Sequence, residues 1–376
     1  MIEITDLKNC CGCEACAAIC PKHCIDMIVQ EGFYYPYVNK DGCVDCHMCE
    51  NVCPEINKIA QKENIKYGAA GYIKDKDARM NSTSGGAAYL FSKKVTSDGG
   101  AAVGVAFDEE FQTHFVIAED DEQIKSLQGS KYPQSRVGNV YSEIKKMLAD
   151  ERKVIFFGTP CQTFGLKNFL GQKYDNLIVI DIICYGVPSP AVWKNYLDER
   201  FAGEKICEVI FKSKIKGWKK WQVFVKTDKT EYSAEKLNDI YMSSYLLGYN
   251  VRPSCYSCKF KGSSRCSDIT IADAWGIPES NEQLNDGTGL SSVIVNTEKG
   301  LGFWKSLKNE MKYEEYPADD LVNGNPAYSV SISENIFRKK FWSHISDGNT
   351  LATLKKYSAA SFFGKICNKL SGIFSK

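Results

Sequence analysis

From Tyr67 onward the chain alternates short apolar runs with stretches whose apolar positions recur every three or four residues. Tyr67–Ile73, Ala101–Phe107 and Thr113–Ala118 read as strands. Val154–Phe157 and Leu177–Ile183 are continuous apolar runs, as expected of strands covered on both faces. Between them Ala87–Val95 and Tyr141–Glu151 read as helices, and another starts at Gln162 after Gly158-Thr159-Pro160-Cys161. Ser189-Pro190 places a capping serine before a proline at the first helical position. Strands alternating with helices predict an α/β body with a mixed, largely parallel sheet, bounded at 67–310. The first 60 residues break this rhythm with cysteines at regular spacing, and polar, aperiodic Glu55–Lys66 reads as the linker between the two. Residues 311–376 read as a basic helical tail.

Composition narrows the picture. A length of 376 residues allows two or three domains, and 44% hydrophobic with 25% charged residues excludes disorder. The net charge of +1 offers no global field for nucleic acid. Charge is nevertheless uneven: residues 1–60 hold four basic and nine acidic residues, net −5, and residues 331–376 hold eight and two, net +6. Met1–Asn9 lacks an apolar segment and no apolar run approaches bilayer length, so a cytoplasmic chain is expected. Seventeen cysteines in a reducing compartment point to metal or redox chemistry rather than disulfides.

Ten of those cysteines fall within the first 53 residues, eight of them in two copies of one pattern. Cys10-x2-Cys13-x2-Cys16-x3-Cys20-Pro21 recurs as Cys43-x2-Cys46-x2-Cys49-x3-Cys53-Pro54. This is the spacing of two-cluster bacterial ferredoxins, in which the fourth cysteine of each run serves the other cluster. Three thiolates two residues apart wrap one cubane, and the chain then carries the fourth away. The spacing therefore predicts an α+β ferredoxin-like head, residues 1–60, with two 4Fe-4S clusters. One is held by Cys10, Cys13, Cys16 and Cys53, the other by Cys43, Cys46, Cys49 and Cys20. Zinc sites pair two CxxC units rather than running four cysteines into a proline. Cys11 and Cys24 read as packed thiols, and the aromatic run Phe33–Tyr37 as rings laid over the clusters.

A third set is expected in the body. Cys161 and Cys184 each follow an apolar strand, with one helix between the strands, and such a βαβ unit puts both at the carboxyl edge of the sheet. Cys255-Tyr256-Ser257-Cys258 supplies two further thiols, and Cys266 is an alternative ligand. Cys207 and Cys367 read as core thiols.

Ser84-Gly85-Gly86, Gly129-Ser130-Lys131-Tyr132, Gly158-Thr159-Pro160-Cys161-Gln162, Cys184-Tyr185-Gly186-Val187-Pro188-Ser189, Cys255-x2-Cys258 and Ser267–Gly276 follow the head in order. As a set they resemble the family of coenzyme F420 hydrogenase and dehydrogenase beta subunits, over the head and on to about residue 300. The resemblance implies an iron–sulfur flavoprotein oxidoreductase that binds FAD in the body and relays electrons between it and 4Fe-4S clusters. It also implies the third cluster, on Cys161, Cys184, Cys255 and Cys258. Some members exchange hydride with the deazaflavin F420. The bacterial branch this sequence resembles most is associated with polysaccharide biosynthesis, often in cells without F420, which puts flavin and clusters ahead of F420.

Candidate flavin contacts are Ser84, Gly85 and Gly86 at a helix start, Lys131 as a cation for flavin or phosphate, and Thr159 and Gln162 beside Cys161. The run Lys212–Trp221, with five lysines and two tryptophans, reads either as a basic, aromatic loop for an anionic substrate or as a Lys-protected hairpin edge. Asp268 and Asp273 are expected to cap or to pair with Arg252 or Arg265. Two functions remain: an enzyme taking electrons from a donor such as ferredoxin to a small, sugar-linked substrate, or a non-catalytic electron-transfer subunit. Lastly, Phe362, Phe363, Ile366, Cys367, Leu370, Ile373 and Phe374 recur at helical spacing beside Lys365 and Lys369. This stripe suits either packing on the body or peripheral contact with an anionic membrane.

Overall fold

The computed structural model describes residues 1–58, 67–275, 277, 281, 283–284, 286–346 and 349–371. Most of the linker, together with Gly276, Ile373 and Phe374, lies outside the described residues.

The cysteine-rich head carries β1 (Ile25–Gln30) and β2 (Phe33–Val38), an antiparallel hairpin. Each cysteine motif adds a short helix, Ala15–Ile19 and Met48–Asn51. The body strands are β3 (Tyr67–Ile73), β4 (Ala101–Phe107), β5 (Thr113–Ala118), β6 (Val154–Gly158) and β7 (Leu177–Ile182). Then follow β8 (Ile206–Ser213), β9 (Gln222–Thr227), β10 (Glu231–Glu235), β11 (Ile269–Asp273), β12 (Ser291–Val295) and β13 (Met311–Glu315).

Eight of these form one sheet in the order β13-β3-β12-β11-β7-β6-β4-β5. β11, β7, β6 and β4 are mutually parallel, and β3 shares their direction because two antiparallel pairings separate it from β11. β12, β13 and β5 run the other way. A mixed, largely parallel sheet therefore forms the body. Both faces are covered, which is why β6 reads as an unbroken apolar run and β7 as one interrupted only by Asp181. Ile155 and Ile180 pack with Phe91 and Trp304 on one side, while Val154, Phe156 and Val179 pack with Tyr141 and Phe169 on the other.

A second, three-stranded antiparallel sheet, β10-β9-β8, stands beside the first. Its Phe211, Val223 and Val225 join Trp193, Tyr196 and Tyr241 in the largest core. Phe33 and Tyr35 of the head belong to that same core. These two rings pack in that core together with Cys10 and also face the body, Phe33 lying 5.7 Å from Trp342 between ring centroids. In a strand only alternate side chains share a face, and here the inward face of β2 is spent on docking the head.

The segment read as a helical tail opens with a strand: β13 pairs with β3 at the sheet edge, and the helices Ala318–Asn323, Arg338–Ser346, Thr350–Tyr357 and Phe362–Leu370 follow. Cys207 of β8 is exposed rather than a core thiol, whereas Cys367 is buried. Among the described residues no helix is long and apolar enough to cross a membrane.

Candidate redox centre

The two head motifs enclose two cavities, and the cysteines exchange partners between them. An outer cavity, at which Cys46 is exposed, is walled by Cys20, Cys43, Cys46 and Cys49, with Cys24 alongside. An inner cavity is walled by the buried Cys10, Cys13, Cys16 and Cys53, with Cys11 alongside. The cause is local. Glu14 and His47, each placed between the second and third thiols of its motif, adopt a left-handed backbone at φ 60° and 59°. The chain turns there into a short helix that delivers the fourth cysteine to the neighbouring cavity. Backbone N–H groups already point at sulfur: that of Ile2 reaches Cys49 Sγ at 3.3 Å and that of Asp45 reaches Cys43 Sγ at 3.4 Å. Among the described residues no three Cys, His, Asp or Glu side chains converge on one ion position. The thiols instead surround a space, a donor set that fits a soft, thiolate-bound cluster larger than one ion. Cys24 lies with its Sγ 3.4 Å from that of Cys20.

The body thiols come together at the carboxyl edge of the parallel strands. Cys161 follows β6 in the first turn of the helix Pro160–Leu170, Cys184 follows β7, and Cys255 and Cys258 flank the end of the turn Pro253–Ser257. The four are near enough to influence one another electrostatically. Burial pushes the Cys184 thiol up to about 12 and raises those of Cys255 and Cys258. Cys161 is raised by its hydrogen bond to Cys11 and by burial, so a head thiol touches the body set. Cys266 is wholly buried, donates to Thr163 Oγ1 at 3.4 Å and packs with Phe164 and Phe260 beside Cys161 and Cys258.

The expected flavin contacts divide into two groups. Thr159 and Gln162 cap the helix they begin: Gln162 Oε1 accepts from the Thr159 backbone N–H at 2.9 Å, and Thr159 Oγ1 lies 3.2 Å from Cys161 Sγ. Proline at the first helical position explains why the helix starts at Pro160 rather than at Gln162. Lys131 donates to the Ser126 and Gln128 carbonyls at 2.7 and 2.6 Å, and burial lowers its ammonium to about 7. Gly85 donates its N–H to Ser291 Oγ at 3.0 Å, and a Cβ there would strike the Gly71 carbonyl of β3. Close backbone approach accounts for that glycine. Gly86 lies at φ 91°, turning the chain into the helix Ala87–Ser97.

Ser84, in contrast, enters a polar cluster at the same sheet edge. Its hydroxyl donates to Asp273 at the end of β11, and Asp273 also accepts from Lys212 Nζ of β8 at 2.5 Å. Burial works against the Lys212 charge, but Asp273 and Tyr132 beside it hold its ammonium above the ordinary lysine value. Lys214 reaches the Arg79 and Ser84 carbonyls at 2.8 and 2.7 Å. Trp218 and Trp275 stack at 4.2 Å between centroids with planes 7° apart, and Lys212 Nζ lies 5.7 Å from the Trp275 ring. Among the described residues the buried Trp218 indole N–H has no partner.

The Lys212–Trp221 run, which joins β8 to β9, divides between the two readings: Lys216, Lys219 and Lys220 are exposed, as at a hairpin edge, while Lys214, Trp218 and Trp221 are buried. The aspartates pair differently from expectation. Asp273 takes Lys212, and Asp268 accepts from the Val179 N–H and Thr297 Oγ1 at 2.9 and 2.7 Å. Arg265 faces Asp181 at 3.1 Å, and Arg252 turns to the head. Asp181 and Gln134 escaped sequence reading because an isolated polar residue in a strand or loop carries no spacing signal.

Fold and site define a thiol-rich α/β protein with its cysteines gathered at the carboxyl edge of a largely parallel sheet and in a docked N-terminal head. Residues 151–320 match the family model for the C terminus of the coenzyme F420 hydrogenase/dehydrogenase beta subunit. Over those residues the chain carries the C-terminal region of the coenzyme F420 hydrogenase/dehydrogenase beta subunit family. It is 20% identical to a subunit of the F420H2 dehydrogenase from Methanosarcina mazei, over 85% of this chain and 88% of that protein. It is also 38% identical over 61 residues to a ferredoxin of Saccharopolyspora erythraea, covering 16% of this chain and 53% of the ferredoxin. A chain of the F420-reducing NiFe hydrogenase complex from Methanosarcina barkeri aligns over 81% of this chain and 97% of its own, at 17% identity and a TM-score of 0.45.

Proposed function

We propose that this protein is an iron–sulfur flavoprotein oxidoreductase that passes electrons between 4Fe-4S clusters of the head, a third cluster of the body and FAD. The observation that carries the reading is the exchange of Cys20 and Cys53 between the two head cavities, which sorts eight thiols into two sets of four. The similarity to a ferredoxin and to an F420H2 dehydrogenase component supports the same reading. Cys161, Cys184, Cys255 and Cys258 are the proposed ligands of the third cluster, with Cys266 behind them.

For the flavin, Lys212, Tyr132, Ser84 and the stacked Trp218–Trp275 pair are the proposed seat, beside the N-terminus of the helix Ala87–Ser97. A flavin exchanges single electrons on one side and a two-electron equivalent on the other. Lys212 would place a fixed positive charge at that seat, with Asp273 holding it in position, and the indoles would exclude water. Anaerobic reconstitution is expected to give about 12 iron atoms and one flavin per chain. Replacing Lys212 with methionine is expected to cut flavin content several-fold at unchanged iron; unchanged flavin would displace the seat, and iron without any flavin would leave only an electron-transfer subunit.

Electron partners are proposed to be small carrier proteins of the ferredoxin class, with an organic, sugar-linked acceptor or F420 as the two-electron partner. The tail adds a membrane contact. In the helix Phe362–Leu370, Cys367 and Gly364 face the body, while Phe362, Ile366 and Leu370 are 82%, 44% and 66% exposed. Those three recur at four-residue steps beside Lys365 and Lys369, the arrangement of a surface-bound helix. Replacing all three by serine is expected to abolish co-sedimentation with anionic liposomes while leaving thermal stability within about 0.5 kcal/mol. Equal sedimentation of both chains would refute the contact.

A further inference from the structure

Arg252 is wholly buried. Of the three other buried arginines, Arg79 lies 2.7 Å from Asp286 and Arg265 3.1 Å from Asp181, while Arg338, at the rim of burial, donates to Tyr256 Oη and the Val251 carbonyl. Arg252 has no carboxylate partner among the described residues. Its Nε donates to the Cys10 carbonyl at 2.8 Å, and its Nη1 to the Tyr34 carbonyl at 3.0 Å and to Gln134 Oε1 at 2.8 Å. Its Nη2 donates to Cys10 Sγ at 3.3 Å, and its guanidinium lies 4.1 Å from the Tyr35 ring centroid. Gly12 makes room for it: a Cβ there would come within 2.9 Å of Arg252 Cζ, and Gly12 sits at φ 72°.

A buried guanidinium bonded only to neutral acceptors is costly, since carbonyl dipoles replace only part of its hydration. One anion of matching position is available, the thiolate set of the inner cavity to which Cys10 belongs. The other carboxylate on that wall is already matched: Glu14 accepts from Arg136 Nε at 2.9 Å and from the Gly138 N–H at 3.2 Å. The outer cavity has no equivalent. Its basic groups are the N-terminal ammonium, which pairs with Asp45 at 2.9 Å, the exposed His47, whose ring lies 2.6 Å from Glu50, and the exposed Lys22. Water and salt screen all three.

We infer that Arg252 is the built-in counter-charge of the inner thiol set and raises the reduction potential of the cluster that set holds. The inference rests on the iron–sulfur reading above. Net charge, hydrogen bonds to sulfur and solvent exposure set the potential of such a site. Burial alone opposes placing one more electron in the inner cavity. A fixed cation hydrogen-bonded to a ligand sulfur offsets that opposition. An electron from a one-electron carrier protein then moves from the outer to the inner site, oxidising the first and reducing the second, with no bond or proton changed. Arg252 also lies three residues before Cys255, between head and body. It acts through the ligands, as a positioning and tuning residue.

The test is an EPR-monitored redox titration of the reconstituted full-length protein, with the outer signal assigned from a Cys46→Ser chain. Arg252→Met should lower the inner potential by at least about 59 mV, a tenfold change in a one-electron equilibrium, and leave the outer potential in place. Arg252→Lys should retain more than half of the difference. Equal potentials in wild type and Arg252→Met, or an equal shift at both sites, would overturn the inference. If Arg252→Met does not fold, the wild-type protein still decides. Raising salt should move the outer potential and not the inner one, and an inner shift as large as the outer one refutes a buried counter-charge. Absence of any cluster signal in wild type would instead reject the iron–sulfur reading itself.

Discussion

Replacing Cys53 with alanine is expected to remove about four iron atoms per chain, all from the inner cavity. Cys53 stands four residues after Cys49 in sequence, yet the two thiols line different cavities. The Cys53→Ala chain should keep the outer signal, which depends on Cys20, Cys43, Cys46 and Cys49. Cys20→Ala should do the converse and keep the inner one. Iron assay and EPR after anaerobic reconstitution read both outcomes. Cluster binding is also folding energy where ligands from distant segments are tied together, so each variant should lose thermal stability in the loaded state and little in the iron-free state. If Cys53→Ala and Cys46→Ala erase the same signal, each motif serves its own cluster and the exchange of fourth ligands is refuted.

Removing the Asp181 carboxylate is expected to destabilise the body by about 3–5 kcal/mol. Asp181 in β7 and Arg265 form an ion pair at 3.1 Å with side chains 0% and 1% exposed. Asp181→Ala leaves the guanidinium beside Cys266 and Ile182 without its counter-ion in a setting closed to water. The double variant Asp181→Leu with Arg265→Met removes both charges and should recover most of the loss, because an apolar pair of similar volume needs no desolvation. Urea unfolding of the three chains makes the comparison. A double variant as unstable as Asp181→Ala would mean that the residues act separately. The pair bridges β7 to the loop before β11, so Asp181→Ala should also lower iron at the Cys184 set; iron there unchanged at native stability would sink that link.

The strands were legible where period and burial agreed. Tyr67–Ile73, Ala101–Phe107 and Thr113–Ala118 form as read, and β6 and β7 sit mid-sheet as their predominantly apolar runs require. The Ser189 cap was legible because it is local, its Oγ accepting from the Val192 N–H at 3.1 Å, whereas the bond its hydroxyl donates to the Gly32 carbonyl at 2.6 Å was not. Gln162 was ambiguous because a glutamine at the third helical position serves a capping box or a ligand equally well, and only the partner decides. The Lys212–Trp221 run was legible only in part for a related reason: its exposed lysines mark the β8–β9 hairpin, but its buried ones do not. Lysine ordinarily marks a solvated edge, and nothing local announces that Asp273, from a strand some 60 residues on, is waiting for it.

The sequence by itself determined the grouping of the thiols: the repeated cysteine spacing sets local loops that need no other part of the chain, and the paired strand–helix–strand run sets which ends Cys161 and Cys184 share. Only the tertiary structure decided how the parts face one another. It turned Phe33 and Tyr35 into the body core, brought Cys11 against Cys161, and inserted Arg252 beside Cys10 across 242 residues. Local geometry follows from short-range sterics and hydrogen bonding, which neighbours in sequence specify. Contacts between distant segments follow from burial, which rewards any apolar face and any paired charge, and leaves the choice of partner to the whole fold.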